Sequence, residues 1–256
     1  MTYTSKAQLA RILSEGWIAA NGYCLACECD LLLQTAANTQ ARDFECRVCR
    51  HPYEVKSSIR PFGRKVVDGA FSSMMRRIES STVPSFLLLR YSDDGTVTDL
   101  TAVHRSLITP ELIERRKPLS HTARRAGWVG CNLLLHGIPP EGRIELVSNG
   151  VASPKHGSRA SFMRTEKLSS ATLGERSWAC SVLSCLHTLP HSTFSLLDAY
   201  GFEQELAALH PMNRNVRAKI RQQLQLLRNA GLLIFVSRGI YSLALNRPRP
   251  EEPLIQ

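Results

Sequence analysis

Four cysteines in the arrangement C-x2-C-x18-C-x2-C, Cys24, Cys27, Cys46 and Cys49, constrain this chain more than any other feature, because two knuckles at this spacing suit one tetrahedral zinc ion. The second knuckle must turn the chain back on itself. A hairpin centred between Val48 and Cys49 pairs positions whose numbers sum to 97, which sets Asp43 opposite Glu54 with Cβ atoms roughly 5 Å apart. Lys56 lies two residues beyond Glu54, so both side chains leave the same face of the returning strand. Two carboxylates about 4 Å apart repel by about 4 kcal/mol at an effective dielectric near 20, so the pair calls for a shared proton or a bound divalent cation. An oxygen-liganded ion such as magnesium, held by Asp43 and Glu54, meets that need. Lys56 is then placed to orient or deprotonate an attacking water and to stabilise charge on a phosphate. Cys29 sits too close to Cys27 for a knuckle, and Cys131, Cys180 and Cys185 read as inert core thiols.

With 43% hydrophobic residues over 256 positions, the chain can bury one large core or two ordinary ones. Its first residues hold no apolar stretch of signal-peptide length, and SFLLLRY and GLLIFV are strand-length rather than membrane-spanning. A cytoplasmic protein is expected, in a reducing compartment where paired cysteines bind metal rather than form disulfides.

A formal net charge of +10 points to a polyanionic partner. From Leu206 to Pro250 there is no acidic residue, while Arg214, Arg217, Lys219, Arg221, Arg228, Arg238, Arg247 and Arg249 fall in that stretch. Nucleic acid is the natural ligand.

The periodicity predicts an α/β or α+β fold with a helix over 5–20, a second helix over VVDGAFSSMMRRIES, and strands at PSFLLLRYS, TVTDLTAVHR and GRIELVSNG. A Ser-, Gly- and Lys/Arg-rich stretch from about Gly150 to Ser177 suggests a linker. Beyond it, Trp178 to Leu186, Phe194 to His210 and Val216 to Asn229 read as helices, and LLIFVSRGIYSL as a hairpin with Ser237, Arg238 and Gly239 at its tip. Helices followed by a basic hairpin describe a winged helix. In the third helix Val216, Ile220, Gln223 or Leu224, and Leu227 form one stripe, and Arg214, Arg217, Arg221, Gln225 and Arg228 a basic one. Arg and Gln on such a stripe, with Gln222 beside it, are the types that read guanine and adenine edges in the major groove.

On these residues the chain resembles the DpnI family of methyl-directed restriction endonucleases. The likeness is carried by KAQLARILSEGWI with YCLAC, DFECRVC with YEVKS, DGAFSSMMRRI, RRKPLSHTARRAGWVGCN, GRIELV, KIRQQLQLLRN and SRGIY. It implies a PD-(D/E)xK nuclease domain with a structural zinc over 1–172 and a winged helix over 173–246; independently, the proline-rich RPRPEEPLIQ reads as a disordered tail over 247–256. The resemblance also implies magnesium-assisted cleavage of double-stranded DNA at GATC with methylated adenine; a monomer is expected, with the oligomeric state left open by the sequence. Asp43, Glu54 and Lys56 fall on the family's catalytic positions and the four knuckle cysteines on its zinc ligands. Arg42 stands where the family has proline. Trp128 falls on the aromatic that senses the methyl groups, with Arg124 and Arg125 beside it to contact phosphates or base edges. A non-catalytic zinc-containing winged-helix regulator is the alternative. A zinc hydrolase is weaker, since four cysteines leave zinc no open position.

Overall fold

The computed structural model describes residues 6–36 and 42–244, so Arg247, Arg249 and the stretch 247–256 lie outside the described residues. The chain opens with α1 (Lys6–Asn21), β1 (Leu32–Gln34), β2 (Phe44–Cys46), β3 (Pro52–Ser58), β4 (Lys65–Ala70), α2 (Phe71–Glu79), β5 (Ser85–Tyr91) and β6 (Val97–Val103). It continues through β7 (Ile113–Arg115), β8 (Gly130–Leu134), β9 (Arg143–Ser148), β10 (Val151–Ala152), α3 (Lys155–Glu166) and α4 (Leu173–Leu186). The last elements are β11 (Thr193–Ser195), α5 (Leu196–Tyr200), α6 (Glu203–Leu209), α7 (Val216–Ala230), β12 (Leu233–Ser237) and β13 (Ile240–Leu243).

A mixed seven-stranded sheet in the order β1-β2-β3-β5-β6-β9-β10 organises the first two thirds. Only β3 and β5 run parallel in it. The unbroken apolar run of β5 is explained by burial on both faces. Leu87 and Leu89 meet Ile18, Leu25, Phe44, Tyr53 and Phe162 on one side. Phe86 and Leu88 meet Met74, Ile78 and Leu107 on the other. A second sheet, β4-β8-β7, packs with α2 on that latter side.

Two expectations fail here. VVDGAFSSMMRRIES is not one helix: Lys65–Ala70 is a strand with alternating burial, in which Val66 and Asp68 point inward and Val67 is 61% exposed. The helical spacing from Val67 to Phe71 is accidental, and α2 starts at Phe71. Nor is Gly150 to Ser177 a linker. It forms α3, whose Ser158, Arg159, Phe162 and Thr165 are buried, and the start of α4, opened by a Thr172–Glu175 capping box. Polar composition misled because the inward face of α3 is itself built from small and hydrogen-bonded residues.

The final third is a helical unit with the small sheet β11-β13-β12. Phe194 to His210 divides into β11, α5 and α6 rather than one helix, since the Ser195–Asp198 capping box starts α5 immediately after the strand. Helix α7 ends in a left-handed Gly231 (φ 79°), and the Leu232 amide donates to Leu227 C=O at 2.9 Å, the Schellman closure only glycine adopts without strain. This unit shares one buried cluster with β4, β8 and α2. Helix α4 is the joint: Ser184 Oγ donates to Gly137 C=O at 3.0 Å, and His187 lies 2.9 Å from the Glu141 carboxylate.

At the base of α3, Glu166 receives Arg105 Nη2 at 2.7 Å, and His104 Nε2 lies 3.1 Å away. His104 Nδ1 accepts the Ser106 amide, so the ring's proton is on Nε2. Burial raises the Glu166 carboxyl, but His104 and Arg105 outweigh it and bring it down to about 2. A carboxylate depressed in the folded state stabilises fully above its ordinary value of 4.5 and loses that contribution as pH falls toward 2. Glu166→Gln is therefore expected to cost up to about 3 kcal/mol at pH 7, with the deficit shrinking below about pH 4.5. Urea midpoints at pH 7, 4.5 and 3 check this, and a deficit independent of pH would contradict it.

Candidate active site and nucleic-acid interface

The Sγ atoms of Cys24, Cys27, Cys46 and Cys49 all lie within 4.8 Å of one another, with Cys24–Cys49 and Cys27–Cys46 each at 3.5 Å. A tetrahedral zinc with bonds of about 2.3 Å needs sulfurs about 3.8 Å apart, so this cluster can hold zinc. The backbone completes the knuckles. Ala26 N–H donates to Cys24 Sγ at 3.3 Å, and the Val48 and Cys49 amides donate to Cys46 Sγ at 3.3 and 3.4 Å, which orients both sulfurs. Cys29 stands aside, donating to Leu31 C=O. Cys131, Cys180 and Cys185 are buried free thiols. Arg159 of α3 locks the first knuckle by donating to the carbonyls of Cys24 and Cys29 and to Glu28 and Asp30. The buried Tyr53 hydroxyl accepts the Leu25 amide at 2.9 Å and ties that knuckle to β3.

Strands β2 and β3 pair Phe44 with Tyr53 and Glu45 with Pro52, the register that sets position 43 against 54. Asp43, one residue before β2, continues it: its amide donates to Tyr53 C=O at 2.9 Å, and its Oδ2 accepts the Val55 amide at 2.8 Å. Arg42, beside it, lies 3.5 Å from Glu45 and turns outward. Asp43, Glu54 and Lys56 line one cleft of about 370 Å³, whose opposite wall is Arg11, Ser14 and Glu15 of α1. Arg11 and Glu15 pair with each other, and Gln34 donates to Glu15 at 2.7 Å.

Asp68 joins this group unannounced by the sequence reading. Lys56 Nζ lies 2.7 Å from Glu54 Oε1 and 2.6 Å from Asp68 Oδ1, a cation between two carboxylates. Asp68 comes from β4, so its contribution was hidden by reading that strand as helix; the inward phase of Asp68 after Val66 was the available signal. Burial opposes the charge on Lys56, but Glu54 and Asp68 outweigh it and hold the ammonium protonated. Burial likewise pushes Asp68 up, and Lys56 brings it below the usual carboxylate range. Glu54 goes the other way: burial and the Asp68 charge together exceed the help of Lys56 and raise it to about 7. Its Oε2 is buried without a hydrogen-bond partner among the described residues.

Beyond β7, Arg116 to Val129 forms a loop held by the Leu119 amide on Trp128 C=O at 2.9 Å and by the Gly127 amide on Leu119 C=O at 3.1 Å. Trp128 is half-buried rather than a core aromatic, and its ring lies so close over Gly130 that a Cβ there would meet it at 2.8 Å. Arg125 stacks on its face at 4.7 Å, and Arg124 and Arg125 are both exposed. The loop is anchored beside the carboxylates, because Cys131, three residues after Trp128, pairs with Asp68 across β4 and β8.

On α7 the apolar stripe Val216, Ile220, Leu224 and Leu227 is buried as read, and Arg217, Arg221, Gln222, Gln225 and Arg228 are exposed. Arg214 precedes the helix and so is not part of its stripe. The face is also less free of acid than its own stretch suggests: Arg217 Nε donates to Glu203 of α6 at 2.7 Å. Gln222 accepts from Lys219, Gln225 donates to Asn229, and Arg228 lies 5.9 Å over Phe235 of β12. Arg238 sits exposed at the β12–β13 tip, where Gly239 takes φ 76°.

A mixed α/β body with a four-cysteine cluster is followed by a helical unit with a small sheet. Residues 1–171 match the model of the DpnI Dam-replacing family, and residues 174–243 that of the Dam-replacing HTH domain. The chain belongs to the DpnI Dam-replacing family. Membership implies methylation-dependent restriction activity, and the HTH domain implies DNA binding. Among the described residues no helix is long and apolar enough to cross a membrane.

The folded chain is expected to carry one zinc ion. Stripping it with a chelator, or Cys46→Ser, should lower the thermal midpoint by several degrees or more, since the metal's binding energy is folding energy. Metal analysis with melting curves checks this; a metal-free protein melting unchanged would speak against it.

Proposed function

We propose that this chain is a type II site-specific deoxyribonuclease of the PD-(D/E)xK kind, cleaving double-stranded DNA at GATC containing methylated adenine. We assign cutting to residues 1–172, with zinc as the structural ion of its hairpin, and assign additional reading to 173–246. The observation that carries the cutting role is the placement of Glu54: its Oε2 is buried without a partner among the described residues, in the cleft it shares with Asp43 and Lys56. An acceptor in that condition fits a hard divalent cation, and Asp43 and Glu54 are the residues that would hold magnesium. Bound there, the ion would supply charge stabilisation at the phosphate and a more acidic water.

The remaining roles belong to the protein's own groups. Asp43 is fixed by the Val55 amide, so one carboxylate edge is oriented before DNA arrives. Lys56, held protonated between Glu54 and Asp68, is equipped to position water and to offset phosphate charge rather than to abstract a proton. Asp68 is a positioning residue: it holds the ammonium and keeps Glu54 from forming the sole ion pair.

Recognition falls to Trp128 with Arg124 and Arg125 on the loop, and to Arg217, Arg221, Gln222, Gln225 and Arg228 of α7 with Arg238 at the wing. One methyl group in an apolar pocket is worth only about 1 to 3 kcal/mol, roughly a 10 to 200 fold preference. Two readers of the modified adenines compound that preference, which explains why a nuclease of this kind carries an HTH unit.

Incubating the protein with adenine-methylated and unmethylated plasmid, with magnesium or EDTA, tests the reading. Cutting is expected only of methylated DNA and only with magnesium, falling roughly 10²- to 10⁴-fold in Lys56→Ala. Binding of methylated DNA without cutting would leave a non-catalytic regulator instead. Separately, Arg221→Ala with Arg238→Ala should weaken DNA binding and lower the slope of log K against log salt by about 2. An unchanged slope would remove α7 and the wing from the interface.

A further inference from the structure

A second polar cavity, of about 140 Å³, lies between α2, the 3-10 turn Arg105–Leu107 and the first turn of α4. Ser81, Arg105, Ser106, Ser169 and Arg176 supply its polar lining. It is separate from the cleft of Asp43, Glu54 and Lys56, with which it shares no lining residue.

The charges in it do not balance. Arg176 is 5% exposed, yet among the described residues no carboxylate lies within ion-pair distance of it. Its Nη2 donates to Ser81 Oγ at 3.1 Å, and its Nε is buried without a partner among the described residues. Ser106, 1% exposed, also lines the cavity with an unpartnered buried Oγ. Among the described residues Glu166 is the acid that acts on Arg176 from a distance; its Oε1 receives Arg105, and its Oε2 lies 3.1 Å from His104. Burial and the like charge of Arg105 both work against the Arg176 guanidinium and lower its pKa. A guanidinium with a free buried N–H, a second arginine, and a hydroxyl with nothing to bond form a donor set that lacks an acceptor. Such forks of planar donors match the oxygens of a phosphoryl group.

We propose that this cavity binds a tetrahedral oxyanion of the phosphate class, held by Arg105, Arg176, Ser81 and Ser106. The anion bridges the two family-defined regions, because Ser81, Arg105 and Ser106 precede residue 171 and Arg176 follows residue 174. Its source is either free phosphate or a backbone phosphate of bound DNA.

The test uses the full chain, zinc-loaded and DNA-free, in chloride at constant ionic strength, with inorganic phosphate raised to about 20 mM. The parent's thermal midpoint should rise by about 2 °C or more. Ser106→Ala should weaken the phosphate response at least tenfold in concentration. Arg176→Met should abolish it while melting no lower than the parent without phosphate, since it removes an uncompensated buried cation. Should Arg176→Met fail to fold, Ser106→Ala carries the comparison. A parent midpoint that ignores phosphate, or equal shifts in parent and variants, as general salt exclusion produces, overturns the proposal. A further arm titrates phosphate against methylated duplex by fluorescence anisotropy. Competition present in the parent and lost in Ser106→Ala names DNA as the source of the oxyanion. Phosphate binding without competition names the free ion, and both results support the site.

Discussion

Four sulfur atoms within 4.8 Å of one another fix the turn that joins β2 to β3, and the acidic cleft inherits its geometry from that turn. Because side chains alternate along a strand, a slip of one residue would send Asp43 to the opposite face from Glu54. The register is therefore the quantity the protein has to protect. It does so from several directions: the knuckle amides on Cys46, the Tyr53 hydroxyl on Leu25, and the Arg159 guanidinium on the carbonyls of Cys24 and Cys29. At about 3.4 Å per residue, Asp43 stands about 10 Å from Cys46, near enough for the cysteine turn to set its position.

The electrostatics of the cleft rest on a division of labour between two carboxylates around one ammonium. Asp68 keeps its charge and Glu54 is pushed toward neutrality, although both lie within 2.7 Å of Lys56 Nζ. The difference lies in what else each group meets: Asp68 also receives the Gly69 amide, while one Glu54 oxygen is buried with no donor. The unpartnered oxygen on Glu54 is what supports the proposed cation there.

Local rules in the chain set the hairpin, the strands β5, β6 and β9, the buried stripe of α7 and its glycine stop. In each of these the period of the apolar residues agrees with the tertiary burial. What stayed hidden was decided by distant partners. Asp68 enters the cleft from a strand whose valines mimic helical spacing. Helix α3 shows no apolar stripe because Arg159 and Thr165 are buried through hydrogen bonds to the first knuckle and to Glu141. Glu203 neutralises Arg217 across the gap between α6 and α7, a pairing that no inspection of the basic stretch alone reveals. The expectation for Trp128 comes from family resemblance alone, since a half-buried ring over Gly130 has no signature in spacing.

Two family models meet between residues 171 and 174, but the apolar interior does not part there. Trp178, Ala179, Val182 and Leu183 of α4 belong to the same buried cluster as Met74, Leu107 and Leu133. The C-terminal unit is thus a module of inheritance and not of mechanics. Exchanging it for another reader would require re-cutting the inward face of α4 to the contours of a foreign host, so new specificity reaches such a chain more readily through its outer side chains than by shuffling whole units.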